Sequence, residues 1–293
     1  MKESRSKKCA ILTMDTLDDF VTYDQKLDAP LNQLGWSVDH VSWRDKQADW
    51  SQYRAVIIRS TWDYQQDASA FMQVLADIEN SSAVLLNSLK IAQWNINKNY
   101  LREVEQKGAA IIPTLWLEAF DFTQVADYFD HFNTTQLIIK PTISANSDNT
   151  FWLKKGNYKE LQSLLEASLT DRQLMVQPFV PEIIEEGEYS LFYFAGNYSH
   201  CILKTPKSGD FRVQEEHGGL LKSIQPSLDL QKAAEKALTT IPEKTLYARI
   251  DLVAYQGQYL LMEIELIEPS LYFNFDDKAA TRFALAFDTW MQV

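Results

Sequence analysis

The sequence predicts a mixed α/β and α+β protein in which a parallel N-terminal domain precedes two further modules. Three apolar runs near the N-terminus alternate with segments of helical periodicity, and this alternation is typical of a parallel sheet flanked by helices. Apolar runs in the C-terminal half come in pairs separated by short turns, which indicates antiparallel hairpins. The 293 residues amount to about two domains, and 46% of them are hydrophobic, so the chain can build a large core.

The N-terminal α/β domain is predicted over residues 1–88. Its predicted strands are 9–14, 36–41 and 55–58. A helix over 89–108 follows, because its apolar side chains lie on one face and Gly108 suits a helix C-terminus. We assign this helix to a linking segment, 89–112.

The remaining sequence divides into a small α+β module over 113–181 and an antiparallel-sheet module over 182–293. The predicted strands of the small module are 112–117, 137–140, 151–154 and 174–177, and its predicted helices are 122–132 and 158–169. The last module is predicted to contain hairpins at 189–195 with 198–204 and at 248–253 with 259–266, and helices at 228–241 and 277–293. The domains are expected to pack together, since no low-complexity linker separates them.

Composition argues against several classes of function. The 40 acidic and 28 basic residues give a net charge of −12, which repels nucleic-acid phosphates at long range. No apolar run reaches the length of a membrane span, and the charged N-terminus passes into an apolar stretch too short for a signal peptide. The 2 cysteines are far apart, so we expect neither a disulfide framework nor a cysteine metal site, and we expect a cytoplasmic protein. Walker-type and dinucleotide-binding glycine motifs are absent from the sequence.

Four charged side chains mark the second predicted hairpin. Arg249 and Asp251 lie two residues apart on one strand, and Glu263 and Glu265 lie two residues apart on the next. Residues two apart share a face of a strand, so the two glutamates repel each other unless a cation lies between them. Mg²⁺ binds such carboxylates together with phosphate oxygens. An ordinary solvent-facing strand is the alternative.

The length of the hairpin loop decides whether Asp251 can join the two glutamates. A two-residue turn at Gln256-Gly257 would pair Asp251 with Met262 and put Glu263 on the opposite face. A loop of three or five residues centred on Gly257 would pair Asp251 with Glu263 directly. The metal-site hypothesis therefore predicts an odd-numbered loop.

Two lysines are candidates for binding phosphate. Lys140 ends an apolar strand and precedes Pro141, so we expect its side chain to point into a cleft between the small module and the C-terminal sheet. For Lys98 a solvated surface lysine is the alternative. The loop 144–150 has short side chains that could close over phosphates, although a plain surface turn explains it about as well.

The order of these motifs resembles the ATP-grasp superfamily of carboxylate–amine ligases, from about Asn87 to Phe273. In chain order the motifs are Lys98, Lys140-Pro141, Gln177-Pro178-Phe179-Val180, Gly187-Glu188, Phe211-Arg212-Val213-Gln214 with Gly218-Gly219, Arg249-Ile250-Asp251 and Glu263-Ile264-Glu265. The segment from Arg59 to Tyr64 is similar to the preceding domain of a glutathione synthetase-like subgroup, to which D-cycloserine synthetase belongs. The resemblance implies a two-part ATP-grasp fold, with 113–181 as the lid.

The resemblance also implies a role for each motif. The implied ATP ligands are Lys98 and Lys140 at the phosphates, Gln177, Pro178, Phe179 and Val180 at the adenine, and Glu188 at the ribose. The implied ligands of two Mg²⁺ ions, which Mn²⁺ could replace, are Asp251, Glu263 and Glu265. Arg212 and Arg249 match catalytic arginines that neutralise the phosphates and an acyl phosphate. Two positions depart from the pattern, since Glu265 stands where Asn is usual and the loop 144–150 lacks the usual glycines.

Substrate contacts are predicted in two segments. The first consists of Ser60, Thr61, Trp62, Asp63 and Tyr64, because loops that follow the strands of α/β domains carry ligand sites. The second consists of Gln214, His217, Gly218 and Gly219. The alternatives are a packed aromatic cluster for Trp62 and Tyr64 and a structural role for His217.

We therefore expect an ATP- and Mg²⁺-dependent ligase that activates a small carboxylic acid, such as an amino acid, as an acyl phosphate and releases ADP and phosphate. The attacking amine belongs either to a second substrate or to the same molecule, in which case a ring closes. The expected partners are small molecules rather than nucleic acid or a membrane. The sequence does not decide whether the protein forms a homodimer. A nucleotide-binding protein without ligase turnover is the alternative. Retention of Lys98, Lys140, Arg249, Asp251 and Glu263 favours the enzyme.

Overall fold

Three β-sheets organise the part of the chain that the computed structural model describes, namely residues 7–18, 20–144 and 147–292. Each sheet comes from a separate stretch of sequence, and the mixed architecture predicted from the sequence is confirmed. The first sheet is parallel and the other two are antiparallel. No helix within the described ranges is long and apolar enough to cross a membrane.

The N-terminal sheet has the strand order β2-β1-β3-β4. Its strands are β1 (Lys8–Thr13), β2 (Ser37–Ser42), β3 (Ala55–Ser60) and β4 (Val84–Leu86), and its helices are α1 (Asp28–Gln33) and α2 (Ala68–Asn80). Strand β3 is buried along its whole length, which places its carboxyl end inside the molecule. Strand β4 was missed by sequence analysis, because three residues are too few to show a periodic pattern.

The prediction of one continuous helix over 89–108 is wrong. The structure has two helices there, α3 (Leu89–Asn95) and α4 (Tyr100–Gln106). In the break, the backbone N–H of Lys98 donates to the carbonyl of Thr142 in the neighbouring module, at 2.8 Å. The side chain of Asn97 accepts a bond from the backbone N–H of Asn99 at 2.9 Å. These contacts replace helical hydrogen bonds and turn Lys98 towards the second module.

The second sheet has the order β5-β8-β6-β7. Its strands are β5 (Leu115–Leu117), β6 (Gln136–Pro141), β7 (Phe151–Lys154) and β8 (Leu174–Pro178), and its helices are α5 (Val125–His131) and α6 (Gln162–Leu169). Both helices begin with a 3₁₀ turn within the predicted helical ranges. Strand β5 is shorter than the predicted 112–117, because the backbone N–H of Ile112 donates to the Leu261 carbonyl of the C-terminal sheet instead, at 3.3 Å.

The C-terminal sheet has the order β11-β10-β9-β12-β13. Its strands are β9 (Glu188–Phe194), β10 (Asn197–Thr205), β11 (Leu220–Ser223), β12 (Tyr247–Tyr255) and β13 (Gln258–Glu265), and the helices are α7 (Glu182–Glu185), α8 (Leu228–Leu238) and α9 (Ala279–Trp290). Helices α8 and α9 are shorter than predicted, and Val293 lies outside the described residues. Phe192 and Phe194 of β9 share a core with Trp36 of the N-terminal domain and with Phe283 and Phe287 of α9. This shared core fixes the N-terminal domain against the C-terminal sheet.

The β12–β13 hairpin corrects the prediction about its loop. The prediction of an odd-numbered loop is wrong, because Tyr255 pairs with Gln258 and leaves a two-residue turn at Gln256-Gly257. Asp251 nevertheless pairs with Glu263, as the metal-site hypothesis required. The next pair is Leu252 with Leu261, so the register shifts by one residue between the two pairs. Met262 is the extra residue of a β-bulge. The bulge therefore supplies the odd residue that we had assigned to the loop.

Beyond the bridge at Leu261, side chains bond the outer edge of β13. Asn95 donates to the carbonyl of Ile264 at 2.8 Å and accepts from the N–H of Leu266 at 2.9 Å. The Tyr100 hydroxyl donates to the Ile264 carbonyl at 2.9 Å and accepts from the Ile264 N–H at 2.7 Å. Helices α3 and α4 thus hold the strand that carries Glu263 and Glu265.

A buried arginine joins the N-terminal domain to the segment after β13. Arg59, at the end of β3, is fully buried and forms an ion pair with Asp24 at 3.1 Å. Its Nη2 also donates to the carbonyl of Pro269 at 2.5 Å, and its guanidinium lies 5.1 Å from the ring centre of Tyr247. The Tyr247 hydroxyl donates to the carbonyls of Ile58 and Ile267. The position of residues 267–269 therefore depends on Arg59.

We expect Arg59→Met to lower the free energy of unfolding by about 3 kcal/mol or more, because it leaves the carboxylate of Asp24 buried without its cation. Urea denaturation measures the change. The exposed ion pair of Lys90 and Glu243 provides the control, and Lys90→Met should change stability by no more than about 1 kcal/mol. Equal effects of the two substitutions would contradict the importance of the buried pair.

Candidate active site

A cavity lies where the three sheets meet. Its walls come from the N-terminal domain, the α3–α4 break, the second sheet and the C-terminal sheet. The charged residues that line it are Lys98, Lys140, Glu188, Lys204, Arg212, Glu216, Arg249, Asp251, Glu263, Glu265 and Glu268. The sequence-predicted candidates for nucleotide and metal binding therefore converge on one place.

One end of the cavity has an apolar wall. The strand end Gln177, Pro178, Phe179 and Val180 lines it together with Ile112, Ile138 and Ile183. Phe179 stacks on Trp152 with ring centres 4.4 Å apart, which fixes its orientation. The Gln177 side chain donates to Thr114 Oγ1 at 2.9 Å. This apolar slot lies at the end of strand β8, and its apolar lining suits a planar base.

Lys98 and Lys140 both line the cavity next to this wall. Lys98 is buried rather than solvated; its Nζ donates to the Ser144 carbonyl at 2.6 Å and lies 3.1 Å from Glu263. Lys140 lies in the cleft, as we expected, and burial lowers its pKa while Glu263 counteracts that effect. Ser144, Ser147 and Thr150 of the loop 144–150 also line the cavity, whereas Ala145 and Asn146 lie outside the described residues.

A network of buried charges crosses four adjacent strands of the C-terminal sheet. Glu188 of β9 forms an ion pair with Lys204 of β10, and Lys204 also lies 3.7 Å from Asp251 of β12. Burial raises the pKa of Glu188, and Lys204 opposes that shift. Lys204 was missed by sequence analysis. The predicted hairpin could not have identified it, because Lys204 pairs with Glu188 only after the register shifts between Tyr198 and His200.

Arg249 is the centre of this network. Its guanidinium donates to both oxygens of Asp251 and to Glu265, its partner across the strands. Asp251 also accepts a hydrogen bond from Ser190 at 2.5 Å. Burial raises the pKa of Glu265 to about 7, although Arg249 acts in the opposite direction.

The three candidate metal ligands share one face of the hairpin but do not form a ready metal site. No group of three or more acidic, histidine or cysteine side chains in the described ranges is arranged to hold a metal ion. The reason is that Arg249 lies between Asp251 and Glu265, while Lys98 holds Glu263. The donor set fits Mg²⁺ chemically, because the carboxylate oxygens are hard ligands that face the lysine-lined part of the cavity.

Arg212 lies at the cavity but is held by its own loop. It forms a two-pronged ion pair with Asp210, with contacts between 2.8 and 3.3 Å, and this pair holds the pKa of Asp210 well below its usual range. The expectation that Arg212 flanks the metal carboxylates is thus only partly met, since its guanidinium contacts Asp210 rather than Asp251 or Glu263. Arg249 does flank them.

The first predicted substrate segment divides into two groups. Trp62 and Tyr64 line the cavity. Ser60 instead hydrogen-bonds to Asp24, and Thr61 is fully buried. Asp63 accepts bonds from Trp43 at 2.7 Å and Arg44 at 2.9 Å, so its carboxylate is used within the N-terminal domain.

The second predicted substrate segment contributes less than expected. Gln214 lines the cavity and donates to Ser147 at 2.8 Å. His217 lies instead in a neighbouring shallow cavity, lined by residues 147–152 and 209–212. Gly218 has a φ of 81°, and a Cβ on Gly219 would lie 2.0 Å from the Val213 carbonyl. The two glycines therefore shape the loop and do not line the main cavity.

Glu268 was missed by sequence analysis, although it lies at the end of the cavity next to the N-terminal domain. Its backbone carbonyl accepts a bond from the Trp62 indole at 2.9 Å, and its carboxylate interacts with the Tyr64 hydroxyl. Burial, followed by the charges of Glu265 and Glu263, raises the pKa of Glu268 to about 8. No local sequence signal marks this residue, because its partners are about 200 residues away.

Two protein families match consecutive parts of the chain. Residues 9–87 match the N-terminal domain of D-cycloserine synthetase DcsG, and residues 88–277 match the ATP-grasp domain of prokaryotic glutathione synthetase. The cycloserine biosynthesis protein DcsG of Streptomyces lavendulae is 24% identical over 268 residues, which are 86% of this chain and 88% of that protein. These matches confirm the predicted resemblance to ATP-grasp ligases.

Solved structures share the fold over nearly the whole chain. The crystal structure of D-cycloserine synthetase DcsG has a TM-score of 0.85 at 24% identity and covers 97% of this chain and 99% of its own. D-alanine–D-alanine ligase from Bacillus anthracis, complexed with ATP, has a TM-score of 0.68 at 13% identity and covers 98% and 96%. The ATP-grasp ligase PsnB, complexed with a minimal precursor, Mg and ADP, has a TM-score of 0.67 at 13% identity and covers 98% and 99%.

We expect Glu268→Gln to become progressively more stable than the wild type as the pH rises. Folding raises the pKa of this carboxyl from 4.5 to about 8 and so favours its neutral form. The protonated Glu268 carboxyl contributes its full stability at a pH below its pKa in the unfolded chain. This contribution is lost as the pH rises through its pKa in the folded protein. Glutamine does not ionise, so the difference in unfolding free energy should grow by up to about 1.4 kcal/mol per pH unit in this window.

Urea denaturation at pH 6, 7 and 8 checks this prediction. Glu243→Gln is the matched control, because Lys90 lowers the pKa of Glu243 and keeps it ionised throughout this range. The difference in unfolding free energy between Glu243→Gln and the wild type should stay constant from pH 6 to pH 8. A constant difference for Glu268→Gln as well would show that its carboxyl has no raised pKa.

Proposed function

The chain belongs to the family of the prokaryotic glutathione synthetase ATP-grasp domain and is an ATP-dependent ligase, and from this premise we propose the reaction it catalyses. A small carboxylic acid takes the γ-phosphoryl group of ATP and becomes an acyl phosphate. An amine then attacks the acyl carbon, and ADP and phosphate leave. The observation that carries this proposal is the cavity that joins an apolar slot, five cationic side chains and the paired carboxylates.

We assign the nucleotide to the end of the cavity formed by the second sheet. The adenine lies against Gln177, Pro178, Phe179 and Val180, where strand β8 ends. Lys98 and Lys140 hold the phosphates, and Lys204 adds a third cation on the C-terminal side. Glu188 is placed to accept bonds from the ribose hydroxyls, and Lys204 keeps its charge paired until then. Lysines act here as point charges that neutralise phosphate oxygens.

Asp251, Glu263 and Glu265 are the proposed ligands of two Mg²⁺ ions. When bound, the metal supplies positive charge that stabilises the transferring phosphoryl group. The residues of this chain also compensate the carboxylates, since Arg249 pairs with Asp251 and Glu265 and Lys98 pairs with Glu263. The extra carboxylate at Glu265 increases the negative charge offered to the metal.

Arg249 and Arg212 are the proposed catalytic arginines. Arg249 already faces the carboxylate cluster and is placed to neutralise the charge that builds up on the acyl phosphate. Arg212 must leave Asp210 to reach the same point, so its loop has to move when ligands bind. We assign segment 113–181 as the lid that brings Lys140 over the phosphates.

A nucleotide-binding protein without turnover is the alternative. It would be expected to lose at least one charge of the set Lys98, Lys140, Arg249, Asp251 and Glu263. All five are retained and line the same cavity, which favours the ligase.

We expect the reaction to yield ADP and phosphate, because the proposed arginines and lysines surround the γ-phosphoryl position. The protein is incubated with Mg²⁺, ATP, hydroxylamine and each of the common amino acids in both enantiomeric forms. Released nucleotide is identified by chromatography, and the acyl phosphate is trapped as a hydroxamate. Equal amounts of AMP and pyrophosphate would overturn the acyl-phosphate mechanism. Nucleotide binding without ADP release from any acid would favour the non-catalytic alternative.

We expect Glu263→Gln to lower kcat on the order of 100-fold, because the metal-bound phosphoryl group loses one charged ligand. The free energy of unfolding should fall by less than in Arg59→Met, since the Glu263 side chain is 29% exposed and Lys98 also donates to the Ser144 carbonyl. Mg²⁺-dependent nucleotide binding gives a second measurement that needs no acid substrate. The exposed residue Glu105 provides the control substitution Glu105→Gln. Unchanged metal dependence and turnover in Glu263→Gln would remove Glu263 from the metal site.

A further inference from the structure

Ser190 is an uncharged residue within the charged face of the C-terminal sheet. It lies on β9, two residues after Glu188, and it pairs directly with Asp251 of β12. Asp251 in turn pairs with Glu263 of β13, so Ser190, Asp251 and Glu263 form a row across three strands. Ser190 is fully buried. Its hydroxyl therefore needs a partner within the protein, because water does not reach it.

That partner is the carboxylate of Asp251. The Ser190 hydroxyl donates to Oδ1 of Asp251 at 2.5 Å. Residues that face each other in antiparallel strands have Cβ atoms about 5 Å apart, and this separation lets a short serine side chain reach a carboxylate. The other contacts of the carboxylate come from cations, since Arg249 donates to both oxygens and Lys204 lies 3.7 Å from Oδ1. Among the described side chains that contact this carboxylate, Ser190 is the neutral donor.

A neutral donor affects a carboxylate differently from a cation. Arg249 and Lys204 offset the negative charge of Asp251, which weakens its attraction for a metal ion. A hydroxyl restricts the rotation of the carboxylate and leaves its charge available. Although burial raises the pKa of Asp251, Arg249, Lys204 and the Ser190 hydroxyl together hold that pKa below its usual value. Asp251 is thus ionised, and Ser190 orients it without cancelling its charge.

Ligands cannot compete directly for the Ser190 hydroxyl. Arg249 and Lys204 line the cavity, where anionic phosphates compete with Asp251 for their charge. The described residues that line the cavity do not include Ser190. When the two cations interact with a ligand, the bond from Ser190 is therefore the contact that keeps the carboxylate in place. Ser190 acts on ligands only through Asp251.

We propose that Ser190 is a positioning residue that holds Asp251 in the orientation in which it binds the metal ion. This inference rests on the proposed function, because it concerns one of the assigned Mg²⁺ ligands. Substitution of a residue that holds a metal ligand typically lowers metal affinity about 10- to 100-fold. Loss of the Ser190 hydroxyl should therefore weaken the contribution of the metal ion and leave the other contacts of the nucleotide intact.

The test measures nucleotide binding to the full chain and needs no acid substrate. The affinity of a non-hydrolysable ATP analogue is determined by calorimetry in EDTA and over a series of Mg²⁺ concentrations. The measured quantity is the factor by which saturating Mg²⁺ tightens binding of the analogue. For Ser190→Ala we expect this factor to fall on the order of 10-fold. The affinity in EDTA should stay unchanged, and urea denaturation checks that the variant is folded.

Two further substitutions separate positioning from a merely structural role. Ser190→Thr keeps the hydroxyl and should restore most of the effect of Mg²⁺. Thr240→Val removes another buried hydroxyl, which donates to the Ala237 carbonyl at 2.6 Å, outside the lining of the cavity. This control should keep the wild-type factor even if it lowers the free energy of unfolding. An unchanged factor in Ser190→Ala would overturn the proposal, and so would an equal fall in Thr240→Val.

Asp251→Asn distinguishes this inference from the proposed function. If Asp251→Asn lowers the effect of Mg²⁺ and Ser190→Ala does not, the positioning role is wrong and the metal assignment stands. If neither substitution lowers it, both the metal assignment of Asp251 and the role of Ser190 are wrong. If Ser190→Ala lowers it but no acid releases ADP, the ligase reaction fails and the positioning role stands.

Discussion

The need to pair charge in a buried cavity is the constraint on which the site depends. An ion removed from water costs several kcal/mol unless an opposite charge and hydrogen bonds compensate it. Arg249 meets this requirement for Asp251 and Glu265, and Lys204 meets it for Glu188. Because these residues come from four adjacent strands, a slip of one residue in any strand would leave a charge without its partner. The network thus fixes the register of the C-terminal sheet together with the positions of the candidate ligands.

The backbone of the last hairpin makes this network geometrically possible. The two-residue turn by itself would put Asp251 and Glu263 on opposite faces, and the bulge at Met262 restores them to the same face. Bulges need stable flanking contacts, since they interrupt the hydrogen-bond ladder. Asn95 and Tyr100 provide those contacts along the outer edge of the strand. The α3–α4 segment therefore does two things at once, because it holds β13 and carries Lys98 into the cavity.

Sequence reasoning predicted most of the elements and the convergence of Lys98, Lys140, Arg249, Asp251 and Glu263, because periodicity and ordered motifs are local or sequential signals. It failed where long-range geometry decides the outcome. The bulge at Met262 leaves no mark in the alternation of polar and apolar residues. Asp63 had the right residue type for a ligand contact, but Trp43 and Arg44 bind its carboxylate. Glu268 gained its environment only when the N-terminal domain packed against residues that follow it by about 200 positions.

The N-terminal domain consequently determines more than the boundary of the cavity. Arg59 donates to the carbonyl of Pro269, the residue next to Glu268, and Trp62 donates to the carbonyl of Glu268 itself. Strand β3 and the turn after it therefore set where that carboxylate lies relative to the other charges of the cavity. The ATP-grasp part of the chain supplies the charges that are paired inside the protein, while the position of Glu268 depends on contacts across the domain interface. A change in the N-terminal domain can thus move Glu268 without disturbing the paired charges of the C-terminal sheet, because Arg59 and Trp62 contact the backbone of residues 268 and 269 and not the charged network.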